Sequence, residues 1–140
     1  MHSLLALVTL AALLLFFFMA LRVGQARGKF NVAAPATTGH PEFERHFRVQ
    51  ANTLEGLVIF LPAVWLLSLT LDGLTASKLG DMIGAGLGAV WIAGRTLYMI
   101  SYVKDPASRG PGFGIQALAM MIALLGAVGV VVWSLAKSGL

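Results

Sequence analysis

Residues 41–71 read PEFERHFRVQANTLEGLVIFLPAVWLLSLTL, and two patterns overlap in that run. Its second part, Ala51–Leu71, has Glu55 as its sole ionisable residue, and about 20 such apolar residues in a helix cross ~30 Å of hydrocarbon. Its first part is charged. Pro41 suits the first turn of a helix, and Glu42 and Glu44 suit the positive end of the helix dipole. At about 1.5 Å per residue a helix over 41–71 is about 46 Å long, so its charged turns can stand at headgroup level.

Three further stretches have the same character: Leu4–Leu21, Leu79–Val103 and Phe113–Ala136. The chain is 58% hydrophobic and 11% charged, where soluble globular domains carry about 25% charged residues. These features predict an all-α, four-helix transmembrane bundle. It forms a single domain over 1–140, with helices about 3–22, 41–71, 78–103 and 113–136. The first stretch has no basic segment ahead of it, only Met1-His2-Ser3, so it is expected to stay as a membrane helix and not to serve as a signal peptide.

The formal charge of +4 has a topological pattern that gives no reason to expect a nucleic-acid partner. Arg22, Arg27, Lys29, Arg45 and Arg48 surround the first connection, and Lys104 and Arg109 lie in the third. The other side has Lys78 and Lys137 with Asp72 and Asp81. The positive-inside rule places the first and third loops in the cytoplasm and both termini opposite. The localisation expected is therefore a multi-pass integral membrane protein of a bacterial inner membrane or an endoplasmic-reticulum type of membrane.

In loop 1, Val23–His40, the run Ala33–Gly39 suits irregular structure. Loop 3, Lys104–Gly112, is expected to be a short polar turn, and a tight turn near Asp72–Thr75 joins helices 2 and 3. Gly80, Gly84 and Gly88 step by four, a spacing that lets helix backbones approach closely in a bilayer. Gly84–Gly88 lacks the spacing and preceding strand of a nucleotide-binding loop. No cysteine is present, so any thiol chemistry must arrive with a substrate. His2, His40 and His46 share no helical face, and no metal is expected.

Helix 2 carries the chemistry. Arg45, Arg48, Asn52 and Glu55 fall at about 0°, 300°, 340° and 280°, a stripe ~80° wide. Such groups in a membrane helix must face protein, water or a polar ligand. Pairing of Glu44 with Arg48, or of Arg45 with Glu55, would be the purely structural use of them, but cations remain in excess. Helix 3 repeats the pattern: Arg95, Tyr98 and Tyr102 share a face with the three glycines. The two stripes together describe a polar pocket for a small, mainly anionic ligand. A molecule with two carboxylates and one ammonium would use Arg, Arg and Glu in turn. Glutathione fits that charge pattern, and so do other peptides and amino acids.

The run Pro41–Glu55, with its spacing E-R-x-x-R-x-x-x-N-x-x-E, resembles the helix 2 signature of the MAPEG superfamily, the membrane-associated proteins of eicosanoid and glutathione metabolism. Supporting matches are Arg27, Phe30, Thr37-Thr38-Gly39, Arg95, Tyr98, Tyr102 and Arg109, covering nearly the whole chain in helix order. The resemblance implies a homotrimer with glutathione, the co-substrate, between subunits near the cytoplasmic face. It implies that Arg48, Asn52, Glu55, Tyr98 and Tyr102 hold the peptide, with Arg45 and Arg95 as a supporting polar network. Arg27 and Gln50 match positions that help to clamp it from the adjacent subunit. Arg109 matches the arginine that faces the thiol, and is the expected catalytic residue.

The function so implied is a glutathione transferase acting on lipophilic electrophiles, with reduction of lipid hydroperoxides as a second activity. Two positions depart from the pattern. Gly56 stands where several relatives have tyrosine, and Gly28 where leukotriene synthases have a second arginine. The second departure argues for a generic transferase over leukotriene synthesis. Two rival functions use the same stripe: a non-catalytic lipid- or partner-binding protein, and a small transporter. The transporter lacks an evident inverted repeat or broken helix pair.

Overall fold

A computed structural model describes residues 2–139. Four long helices account for most of them: α1 (Ser3–Lys29), α2 (Pro41–Thr75), α3 (Leu79–Lys104) and α4 (Gly110–Ser138). A short 3-10 turn, Pro106–Arg109, joins α3 to α4, and no strand occurs among the described residues. All four helices are long and apolar enough to cross a membrane.

The α2–α3 pair is the centre of the bundle, with α1 and α4 each packed against both of its members. Phe60 and Trp91 stack at 5.2 Å in the core, beside buried Leu5, Leu57, Val64, Ala119 and Ala123. Many large apolar side chains point outward, among them Leu7, Leu14 and Phe17 on α1, Val58 on α2, Ile100 on α3 and Leu125 on α4. An outer surface this apolar is stable only in contact with lipid or other apolar protein. The chain is an integral membrane protein.

The α3 glycines do what their spacing predicts. A Cβ on Gly80 or Gly84 would run into Ser68 of α2, and one on Gly88 into Val8 of α1. On the other flank, a Cβ on Gly112 of α4 would strike the Tyr98 backbone. Close approach therefore fixes α3 against all three neighbours.

The acidic residues at the end that holds the α1 N-terminus act as caps. Buried Asp81, from the first turn of α3, accepts from the Leu5 amide at 2.9 Å and the Leu4 amide at 3.3 Å. A carboxylate at a helix N-terminus satisfies orphan N–H groups and favours the dipole. Asp72 accepts from the amides of Gly80 and Asp81 and lies 2.9 Å from His2 Nε2.

Three boundaries differ from the sequence expectation. Helix α1 does not stop at Arg22 but runs to Lys29, so the first loop starts at Phe30. Ala26 is buried against Val32 and Phe43, and Arg27 and Lys29 complement the negative end of the dipole, which keeps these polar turns helical. Helix α2 continues to Thr75 and ends with Ala76 in the left-handed region. The third connection is shorter than the polar turn expected over Lys104–Gly112. Asp105 caps it by accepting from the Ala107 amide at 3.0 Å, Pro106 starts the 3-10 turn, and α4 begins at Gly110 with Pro111 in its first turn.

Candidate functional site

The helix 2 stripe divides on folding. Arg45 swings toward α3, where Nη1 donates to the carbonyls of Val103 at 3.2 Å and Lys104 at 3.1 Å. Those are orphan carbonyls of the α3 C-terminus, so Arg45 caps that helix and ties it to α2. Glu44 turns back to accept from the Gly39 amide at 2.9 Å. Neither structural pairing considered for the stripe, Glu44 with Arg48 or Arg45 with Glu55, is formed. Among the described residues the ion pairs are His2–Asp72 and Lys29–Glu42.

Arg48 and Glu55 are left on the exposed flank of α2. Arg48 makes no hydrogen bond or ion pair among the described residues, while Glu55 Oε2 accepts from Asn52 Nδ2 at 3.1 Å. Behind them lies Arg95, 1% exposed and aimed from α3 at α2. Its Nη1 donates to Asn52 Oδ1 at 2.9 Å, and Nη2 to the Asn52 carbonyl at 3.3 Å and to Gln116 Oε1 at 3.2 Å. The guanidinium also sits 4.8 Å from the Tyr98 ring centre and 5.5 Å from Trp91. A buried arginine needs such donors' partners, because an unpaired charge in a low dielectric is very unfavourable.

Gly56, noted as a departure in the sequence, has a local reason. A Cβ there would stand 3.1 Å from Arg95 Nη2 and 3.7 Å from Trp91. The missing side chain is the space through which the arginine reaches α2.

Toward the basic end, Tyr98 is buried and Tyr102 half-buried, with ring centres 5.3 Å apart. Tyr102 lines a cavity of about 430 Å³ together with Thr37, Pro41, Glu44, Arg45, Phe47, Arg48 and Pro106. That volume lies within the range of about 300–1,000 Å³ common for small-molecule sites. Exposed Arg109 stands above Tyr102, its guanidinium carbon 5.8 Å from the ring centre. The structure thus brings Arg45, Arg48 and Tyr102 into one hollow with Arg109 on its rim. Asn52, Glu55, Arg95 and Tyr98 occupy the next turns into the bundle.

Arg27 and Gln50 do not join this group within one chain. Arg27 donates to the carbonyls of Val32 at 3.1 Å and Ala36 at 2.9 Å and covers the Phe43 ring at 4.7 Å, pinning the first loop. Gln50 is half-buried at about 140° from Arg45 on the helical wheel, well off the stripe. The histidines are dispersed: His2 is beside Asp72, His40 caps α2 through the Glu42 amide and stacks on Phe30, and His46 is buried.

Gln116 was not among the candidates the sequence offered. It is 2% exposed and accepts from Arg95, yet a single amide in an apolar helix has no periodic partner to mark it. Its one visible signal is being the sole amide in the membrane stretch of α4.

These features define a four-helix integral membrane protein with a cation-rich polar hollow at one end of its α2–α3 pair. The MAPEG family profile matches residues 5–129. An uncharacterized protein of Synechocystis sp. is 42% identical over 130 residues, 93% of this chain and 89% of that protein. Microsomal glutathione S-transferase 2 of Homo sapiens is 37% identical over 114 residues, covering 81% of this chain and 72% of the relative. Leukotriene C4 synthase of Bos taurus is 34% identical over 124 residues, 87% and 77% of the two chains. The chain belongs to the MAPEG family.

Proposed function

We propose that the protein is a membrane-bound glutathione transferase that adds the glutathione thiol to lipophilic electrophiles. The observation that carries this reading is that Arg48 and Glu55 share one flank of α2, each without an oppositely charged partner among the described residues. An ionised side chain at the centre of a membrane helix is unfavourable by about 2.5–3.5 kcal/mol, so such a flank calls for a polar occupant. Glutathione supplies carboxylates for Arg48 and an ammonium for Glu55, with the Tyr98–Tyr102 edge beside it. The name of one relative, microsomal glutathione S-transferase 2, carries the same substrate.

The exposed position of Arg48 and Glu55 also favours a second copy of the chain as cover. A homotrimer would bring Arg27 and Gln50 of a neighbouring copy toward the ligand. In this arrangement the hollow opens to the cytoplasm and both termini lie on the other side, following the distribution of Lys and Arg.

Arg109 is the proposed catalytic residue. A free thiol has a pKa near 8.5, leaving only a few per cent as thiolate at pH 7. A guanidinium beside the sulfur favours the anion, typically by about 1–3 pKa units. The thiolate then attacks an electrophilic carbon and a C–S bond forms. In a substitution the displaced group leaves with the bonding pair, and in an addition the π pair moves onto the electrophile, which takes a proton from water. With a lipid hydroperoxide the sulfur attacks the outer oxygen and the O–O bond breaks. The lipid alcohol departs, and a second glutathione completes a disulfide with release of water.

The test is glutathione binding to purified protein in detergent or nanodiscs, with conjugation of a generic aromatic electrophile followed alongside. Saturable binding with turnover supports the transferase. Binding without turnover would favour a non-catalytic protein, and transport of glutathione by proteoliposomes without conjugation would favour a carrier.

A further inference from the structure

Gln116, Arg95, Asn52 and Glu55 form one directed chain of hydrogen bonds through α4, α3 and α2. Arg95 Nη2 donates to Gln116 Oε1 at 3.2 Å, Arg95 Nη1 to Asn52 Oδ1 at 2.9 Å, and Asn52 Nδ2 to Glu55 Oε2 at 3.1 Å. Direction is forced by chemistry. A guanidinium only donates, so the Asn52 oxygen must face Arg95, and its NH₂ group must then face Glu55. The amide cannot turn over without losing both bonds.

Glu55 is the exposed end of this chain, and one of its oxygens, Oε1, is left unused. The buried guanidinium of Arg95 lies one amide away, linked to Glu55 through Asn52. Gln116 is the other anchor of the guanidinium. It closes the fork from α4, opposite to Asn52, and is itself 2% exposed. Gly56 completes the fit: a Cβ there would meet Arg95 Nη2 at 3.1 Å and Gln116 Oε1 at 3.9 Å. Space at Gly56 and an acceptor at Gln116 together set where the guanidinium rests.

We infer that Gln116 is a positioning residue for the ammonium subsite: by anchoring Arg95 it fixes the Asn52 amide, and so presents a carboxylate oxygen of Glu55 to the ammonium group of glutathione. This role rests on the glutathione reading given above. It concerns binding of the peptide and not ionisation of its thiol, which takes place at the Arg109 end of the hollow.

Two variants separate positioning from packing. Gln116→Met keeps the volume and removes the acceptor, whereas Gln116→Glu keeps an acceptor oxygen at the same reach. Loss of a hydrogen bond to a charged group predicts a rise in the KM for glutathione of about tenfold in Gln116→Met, with kcat within about twofold of wild type. Gln116→Glu is expected to hold KM within about threefold of wild type. In ¹⁵N-labelled protein without ligand, the Asn52 side-chain amide should exchange faster in Gln116→Met. An unchanged KM or unchanged Asn52 exchange in that variant overturns the role of Gln116. So does an equal fall in kcat and thermal stability in both variants, which is the pattern of a packing residue. Wild type that never saturates with glutathione overturns the functional reading itself, whereas saturation by wild type and Gln116→Met alike removes only the positioning role.

Discussion

Arg95 Nη1 lies 2.9 Å from Asn52 Oδ1, a bond between α3 and α2 made by a guanidinium that is 1% exposed. The bond does two things. It gives the buried guanidinium one of its acceptors, and it orients the amide next to the outward-facing Glu55.

Replacing Arg95 with leucine should therefore destabilise the fold and not merely weaken a site. Asn52 Oδ1 and Gln116 Oε1 would lose their donor, and a buried polar group left unpaired costs about 1–3 kcal/mol. Thermal unfolding in detergent should show a fall in Tm of several degrees for Arg95→Leu. A Tm equal to wild type would mean that the network adds no stability.

Asp81 offers a contrast at the other end of the bundle. Its carboxylate caps the Leu4 and Leu5 amides, and loss of such a cap typically costs about 0.5–2 kcal/mol. Asp81→Ala should lower Tm while leaving the glutathione KM unchanged. A shift in KM would show that the two ends of the bundle are coupled.

The glycines divide in the same testable way. Gly112→Ala places a Cβ against the Tyr98 backbone and should push α4 off α3, lowering both Tm and activity. Gly86 has open space around its Cβ position, so Gly86→Ala should be neutral or stabilise by about 0.5–1 kcal/mol. Equal Tm values for the two variants would contradict the close-approach role.

Much of this architecture was legible in the sequence because lipid imposes long apolar runs, and glycine steps mark close helix contacts. The misplaced boundaries have a common cause. Val23–Lys29 and Gly110–Gly112 carry the polar or glycine-rich composition of loops, yet they are helical turns where the chain leaves the apolar stretches. Helical phase grouped Arg45 with Arg48 correctly but said nothing of reach, and the long Arg45 side chain finds the α3 C-terminus instead of the stripe. Gln116 escaped notice because only residues with ionisable or periodic partners were visible as a pattern.

Arg109 should govern the thiol and little else. In Arg109→Ala the pH dependence of conjugation should move toward the ordinary thiol pKa near 8.5, with the thiolate absorbance at neutral pH lost. Glutathione affinity should stay close to wild type. A pH profile matching wild type would remove the residue from the chemistry.

The central claim is that the Arg48–Glu55 flank of α2 holds glutathione, and equilibrium binding tests it most directly. Glutathione titrated calorimetrically into wild type, Arg48→Ala and Glu55→Gln should saturate the first and bind each variant about tenfold or more weakly, the loss expected for one charge-assisted contact. Three indistinguishable isotherms, or none in wild type, would contradict the account.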